Sequence, residues 1–270
     1  MLHFVSGLPR SGSTLLMQVL AQNPNHYVTP TSGLIDVFLT ARRNWVNNSA
    51  FQSQGLEKIK PRINNVLKGI LYNYFENEIQ DGKTCFDKNR AWLTHVEDIR
   101  RVTGSEPKMI CLVRDIRDVV ASFEKLYRKR DSDYQYPMDE QYLRIQTTEG
   151  RAQYMLAPGG PVGIAVNRVR DAIRRCPDNI LLVSYLDLTG NPKSVMNRIH
   201  EFCELPDFEY DFDNVKQVTK EDDNYHGYDL HNIREGKILP AEKGTWRNVL
   251  PSQLANEIHS QYLDFTKLGR

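Results

Sequence analysis

Gly7-Leu8-Pro9-Arg10-Ser11-Gly12-Ser13-Thr14 packs two glycines, three hydroxyls and an arginine into eight consecutive positions, between an apolar run and a helical pattern. That composition suits an oxyanion cradle. The glycines let the backbone turn tightly so that several N–H groups face one point, and the positive end of the following helix adds to them. Ser11, Ser13 and Thr14 supply further donors, and Arg10 supplies a charge. The spacing is that of a nucleotide phosphate loop, G-x-x-x-x-G-K-[ST], but Ser13 stands where the lysine reaching the β- and γ-phosphates belongs. The loop is therefore expected to hold a phosphate without the cation that a kinase or NTPase uses. A nucleotide kinase or nucleotide-binding regulator is the alternative reading of the same residues.

The elements that must position this loop follow from hydrophobic periodicity. Residues 2–6, 84–86, 109–113 and 180–184 are short continuous apolar runs, the pattern of strands buried on both faces. Amphipathic helical patterns cover residues 14–22, 34–45, 56–78, 115–129, 162–175 and 192–203. Strands alternating with helices predict an α/β fold with a parallel sheet, whose ligands lie at the carboxyl ends of the strands. Residues 131–163 and 208–245 are less regular and are expected to form lids or binding surfaces. No repeat, linker or charge run divides the chain, so residues 1–270 read as one domain.

Composition narrows the class. Lys plus Arg total 35 against 34 for Asp plus Glu, a net charge of +1, which argues against a nucleic-acid partner. With 40% hydrophobic and 26% charged residues the chain reads as an ordinary globular protein. No stretch approaches the ~18 apolar residues of a membrane span, and the first residues lack the basic flank of a signal peptide. Cys85, Cys111, Cys176 and Cys203 show no C-x-x-C pairing and sit in apolar segments, so they are expected as reduced core residues and the location as cytoplasmic. His226, His231, Asp222, Asp223 and Asp229 are close in sequence but match no metal-ligand spacing, and no metal is expected.

Pro9-Arg10-Ser11-Gly12-Ser13-Thr14 resembles the 5′-phosphosulfate-binding loop of the sulfotransferases. A second match is Cys111-Leu112-Val113-Arg114, continued to Ser122; in that family the strand-end arginine and the serine eight residues later hold the 3′-phosphate of the donor. Leu182-Val183-Ser184-Tyr185-Leu186-Asp187-Leu188 is similar to the strand whose tyrosine lies near the adenine, with Leu186 in place of a glutamate. Lys243-Gly244-Thr245-Trp246-Arg247-Asn248 looks like a shortened form of the K-G-x-x-G-x-W loop that covers the 3′-phosphate and adenine, although Glu242 replaces a second basic residue. The motifs come in the family's order along the chain.

The resemblance implies a single-domain sulfotransferase fold and transfer of a sulfuryl group from 3′-phosphoadenosine 5′-phosphosulfate (PAPS) to a hydroxyl or amine. The other product is adenosine 3′,5′-bisphosphate (PAP). A donor-binding module without turnover is the third reading. Arg10, Ser11, Gly12, Ser13, Thr14, Arg114, Ser122, Tyr185, Lys243 and Gly244 are the implied donor-binding residues. Arg10 is also an implied catalytic cation, and Lys88 resembles the lysine placed near the sulfuryl group. Arg90 occupies the position where cytosolic members carry a histidine base, and arginine cannot take that proton. No glutamate occurs before residue 55, which leaves Asp36 as the expected base and His26 as the second choice. The acceptor pocket is expected from residues 34–78 and 131–163, whose Tyr, Trp and Arg content suits an aromatic, sugar or peptide acceptor equally.

Overall fold

Five strands lie parallel in one sheet in the computed structural model, which describes residues 1–129, 145–225 and 230–269. They are β1 (Leu2–Gly7), β2 (His26–Thr31), β3 (Thr84–Lys88), β4 (Met109–Val113) and β5 (Ile180–Ser184), in the order β2-β3-β1-β4-β5. The chain leaves β1 toward one side of the sheet and later crosses to the other, so the carboxyl end of β1 lies where the winding reverses. Ligands of such sheets bind there.

Every residue of β3 and β4 is buried, which accounts for the unbroken apolar run of β4; β3 also buries Asp87 and Lys88. Phe4, Cys85, Met109, Cys111 and Val113 face one core, closed by the helices Leu34–Asn47, Leu56–Asn73, Val96–Thr103, Ile116–Lys129 and Pro161–Arg175. Val5, Phe86, Ile110, Leu112 and Val183 face the other, closed by Ser13–Leu20 and Pro192–Cys203. Burial of these apolar side chains, each worth roughly 1.5–3 kcal/mol, holds the three layers together. All four cysteines are buried and free.

Several elements depart from the sequence expectation, among them the helices Val96–Thr103 and Ser252–Gln261, which the pattern leaves unassigned. Residues 26–31 form the edge strand β2, to which the sequence pattern assigns no element. Its register slips between Val28 and Thr31, around Pro30, and an edge strand tolerates a proline because one side of its ladder needs no donor. Its apolar content is too low for a fully buried run, which is why pattern reading passes over it. Within 131–163, Thr148–Leu156 is a helix capped by the Thr147 side chain on Gly150 N; residues 130–144 of that stretch lie outside the described residues. Among the described residues, 208–248 form a strap with two short helical turns, Asp223–Tyr225 and Thr245–Asn248, and one isolated bridge, Val215 to Gly236.

Asp87, in β3, points into the core with no solvent exposure. Burial pushes its carboxyl up to about 6, against the opposing hydrogen bond of 2.6 Å that Trp92 Nε1 donates to Oδ1. A carboxyl raised above its unfolded value binds its proton more tightly in the folded state, so it favours folding at low pH and loses that contribution as pH rises from about 4 to 6. Asp87→Asn keeps an acceptor for Trp92 and removes the titration. Thermal unfolding should show the variant gaining on wild type between pH 5 and pH 7.5, by on the order of 1–1.5 kcal/mol. A difference that does not change with pH would show that Asp87 does not titrate in this range.

Candidate active site

At Gly7 the backbone turns out of β1 with φ 127°, so close to β4 that a Cβ would sit 2.2 Å from the Leu112 carbonyl oxygen. Leu8 N then donates to that carbonyl at 2.9 Å. Ser11 Oγ donates to Leu8 O at 2.5 Å and is fully buried, so this hydroxyl closes the loop on itself. Arg10, at φ 57°, takes a left-handed conformation that a side chain with a Cβ seldom adopts, and Gly12 follows at φ 91°. A Cβ on Gly12 would lie 2.7 Å from the Tyr185 ring. The helix Ser13–Leu20 begins at this point with no side-chain cap, leaving the first N–H groups and the half-buried Ser13 and Thr14 at the loop.

Side chains from three other strand ends close around the loop. Arg10 Nε donates to Ser122 Oγ at 3.1 Å and its Nη1 to Leu230 O at 2.6 Å. Arg114, just past β4, donates from Nη1 to Arg10 O at 2.8 Å and lies over the Tyr185 ring at 4.4 Å. Burial pulls the Arg114 guanidinium below its ordinary range, and the charges of Asp118 and Asp115 oppose that. Tyr185 opens the helix Tyr185–Gly190 directly after β5. Arg10, Arg114, Ser122 and Tyr185 are thus brought to one edge of the loop.

Asp118, on the same helix as Ser122, accepts from Thr245 Oγ1 at 2.9 Å and from Trp246 N at 3.0 Å. These bonds tie the segment 243–248 to the helix that carries Ser122. Arg117 and Arg247 stack on the Trp246 ring, 4.6 and 4.7 Å from its centroid. Gly244 has φ 74°, and Lys243 is exposed beside it.

Lys88 ends β3 and supplies a cation from a neighbouring strand. Its Nζ reaches Thr14 Oγ1 at 3.5 Å and donates to Glu221 Oε1 at 2.7 Å. The two side chains are 6% and 5% exposed, a buried ion pair. Burial pulls Lys88 down from its ordinary value, and the Glu221 charge and hydrogen bond offset part of that. For Glu221 burial acts upward, but Lys88 and the Thr31 N–H, 2.8 Å from Oε1, hold the carboxyl below its ordinary value. His231 Nδ1 lies 2.7 Å from Asp223 Oδ1 and 3.5 Å from Glu221 Oε2, with Nε2 at 3.4 Å from Thr31 Oγ1.

Glu221 carries no sequence signal. It sits in the irregular strap, 133 residues from Lys88, and only the fold joins them. Asp36 lies in the first turn of Leu34–Asn47, exposed and outside this network. His26 begins β2, at the amino end of the strands and opposite to the carboxyl end where Thr31 and Lys88 lie; its Nδ1 meets Leu20 O at 3.2 Å and burial lowers its pKa to about 4. His226 and Asp229 lie outside the described residues. Among the described residues no group of three His, Cys, Asp or Glu side chains could hold a metal, and no helix is long and apolar enough to cross a membrane.

Comparison with known proteins agrees with this geometry. No curated protein sequence gives a significant match. The fold is similar to the sulfotransferase domain from the curacin biosynthetic pathway, with TM-score 0.55 and 18% identity over 97% of this chain and 96% of that one. It is also similar to the sulfotransferase domain of the Synechococcus PCC 7002 olefin synthase, with TM-score 0.52 and 20% identity over 97% and 94%. Mouse sulfotransferase SULT7A1, solved with PAP, gives TM-score 0.55 and 12% identity over 98% and 84%. At such identities the structural likeness speaks for the fold. The sequence model of the sulfotransferase family matches residues 3–210, from the first strand past the last, and so this chain belongs to the sulfotransferase family.

Proposed function

We propose that the chain, as one domain, transfers the sulfuryl group of PAPS to a hydroxyl or amine by in-line displacement. The observation that carries this reading is the joining of Arg10, Arg114, Ser122 and Tyr185 at one edge of a phosphate loop that lacks the NTPase lysine. A guanidinium and a hydroxyl beside an aromatic face suit a 3′-phosphate next to an adenine. The solved complex of mouse SULT7A1 with PAP supports the same nucleotide for this chain. Four buried thiols favour a reducing compartment, and we place the reaction in the cytoplasm.

In this reading the loop N–H groups, Ser13 and Thr14 hold the 5′-phosphate, and Lys243 and Gly244 cover the 3′-phosphate. Lys88 polarises the sulfuryl oxygens from the side. As the acceptor oxygen bonds to sulfur, the bond from sulfur to the bridging oxygen breaks, and that oxygen keeps the electron pair. Arg10 and the helix N-terminus stabilise the resulting charge on the 5′-phosphate. The sulfuryl group carries less negative charge than a phosphoryl, so side-chain cations suffice for it. A carboxylate takes the acceptor proton. Of the two candidates, Glu221 touches Lys88 whereas Asp36 stands apart, and we assign the base to Glu221.

Arg114→Ala should weaken PAP binding at least about tenfold, since a charge-assisted contact is worth about 1.5–3 kcal/mol, and leave adenosine 5′-phosphosulfate binding nearly unchanged. Equal losses for the two nucleotides would remove Arg114 from the 3′-phosphate. Turnover followed by PAP release should show Lys88→Ala with kcat lowered by about 10²–10³-fold and a smaller change in donor affinity. A Lys88→Ala variant whose KM rises while kcat survives would make Lys88 a binding residue only. The base is read from a paired comparison. Glu221→Gln should lower kcat by about 10²–10⁴-fold while Asp36→Asn stays near wild type, and the reverse result would return the role to Asp36.

A further inference from the structure

A lysine at a phosphate loop normally rewards every added negative charge on the ligand's terminal group. Here that lysine is matched. Lys88 Nζ lies 2.7 Å from Glu221 Oε1 and 3.5 Å from Thr14 Oγ1, with both charged side chains almost fully enclosed. Asp223 adds a second negative charge acting on Lys88, and Arg90 adds a positive one. The carboxylate is also fixed in place. Thr31 N donates to Oε1 at 2.8 Å, and the strap leading to Glu221 is pinned by the buried Gln18, whose Oε1 accepts from Val218 N at 2.7 Å and Thr219 N at 3.1 Å.

We infer that Glu221 is a charge filter for the donor, admitting a singly charged terminal sulfuryl group and rejecting a doubly charged terminal phosphate. The inference rests on the PAPS reading above and goes beyond it, because Glu221 lies past residue 210, where the family match ends. The reason is Coulombic. A terminal group close enough to feel Lys88 also feels Glu221, so the attraction and repulsion nearly cancel and extra charge gains nothing. What remains is the cost of bringing that charge into an enclosed site, which is higher for a dianion. Each ligand charge interacts separately with the carboxylate, so its removal relieves a dianion about twice as much as a monoanion. Selectivity for sulfuryl over phosphoryl transfer would otherwise be hard to obtain, since the two groups have nearly the same shape.

Isothermal titration calorimetry without divalent cations can test this with PAP, PAPS and adenosine 3′-phosphate 5′-diphosphate, on wild type and Glu221→Gln. Wild type should bind PAPS about tenfold more tightly than the diphosphate. Glu221→Gln, which keeps the side-chain volume and an acceptor for Thr31, should raise diphosphate affinity about tenfold, PAPS affinity about threefold, and PAP affinity by less than about twofold. Glu221→Asp keeps the charge and should keep the wild-type preference. Equal changes for PAPS and the diphosphate, or none, would overturn the filter, as would loss of preference in Glu221→Asp. A wild type that favours the diphosphate would overturn it without any variant, even if Glu221→Gln failed to fold. Failure of wild type to bind PAP would instead overturn the functional reading, and the filter with it.

Discussion

The backbone of β1 approaches β4 so closely at Gly7 that no side chain fits between them, the nearest atom to a Cβ being a carbonyl oxygen at 2.2 Å. That contact determines where the loop leaves the sheet. Leu8 N is held by Leu112 O, Ser11 Oγ by Leu8 O, and the chain reaches Gly12 already pressed against the Tyr185 ring. The helix Ser13–Leu20 can then begin with its first N–H groups directed at one point. A bulkier residue at Gly7 would push β1 away from β4 and misplace the loop, the helix start and the strand-end arginine together. Anion binding by backbone groups depends on such placement, because the dipoles act only over the first turn.

Nucleotide loops of this spacing usually carry their own cation. Here two of the charges come from elsewhere on the same sheet edge, Lys88 from β3 and Arg114 from just past β4, while Arg10 in the loop takes a left-handed conformation. A parallel sheet makes this possible, since all five strands deliver their carboxyl ends to one side. The arrangement separates two tasks. Arg114 lies over the Tyr185 ring, and in the proposed reading this is where a nucleoside would stack, whereas Lys88 lies beside Thr14, which that reading gives to the reacting group. Desolvation of each cation has a cost, and the structure offsets it with a specific partner: the Tyr185 face for Arg114 and the Glu221 carboxylate for Lys88.

Among the described residues, the strap of 208–245 contributes no strand to the sheet, yet it closes over the loop. Gln18 fastens its middle, Glu221 and His231 meet Thr31 and Lys88, Leu230 O receives Arg10, and Asp118 receives its far end at Thr245 and Trp246. Nearly all these bonds use polar groups of the scaffold rather than apolar packing. The segment is thus attached both by these discrete contacts around the loop and by apolar side chains, among them the buried Val215 and Tyr210, packed into the second core.

Much of the architecture was legible in the chain: β1, β3, β4 and β5 as apolar runs, six helices by period, and the cradle from its glycines and hydroxyls. These depend on local patterns, a side chain's period or a turn's need for a positive φ, which consecutive residues display. The edge strand β2 was not legible, because pairing with β3 on one side only needs little apolar content and tolerates Pro30. Asp36 stood out as the first carboxylate after the helix, but the structure leaves it exposed, while Glu221, in a segment without pattern, meets Lys88 across 133 residues. Sequence alone determined most of the elements and the strand-turn-helix loop that they carry. Tertiary structure decided which charges face each other, because a buried ion pair depends on distance in space, and neither partner's local sequence records it.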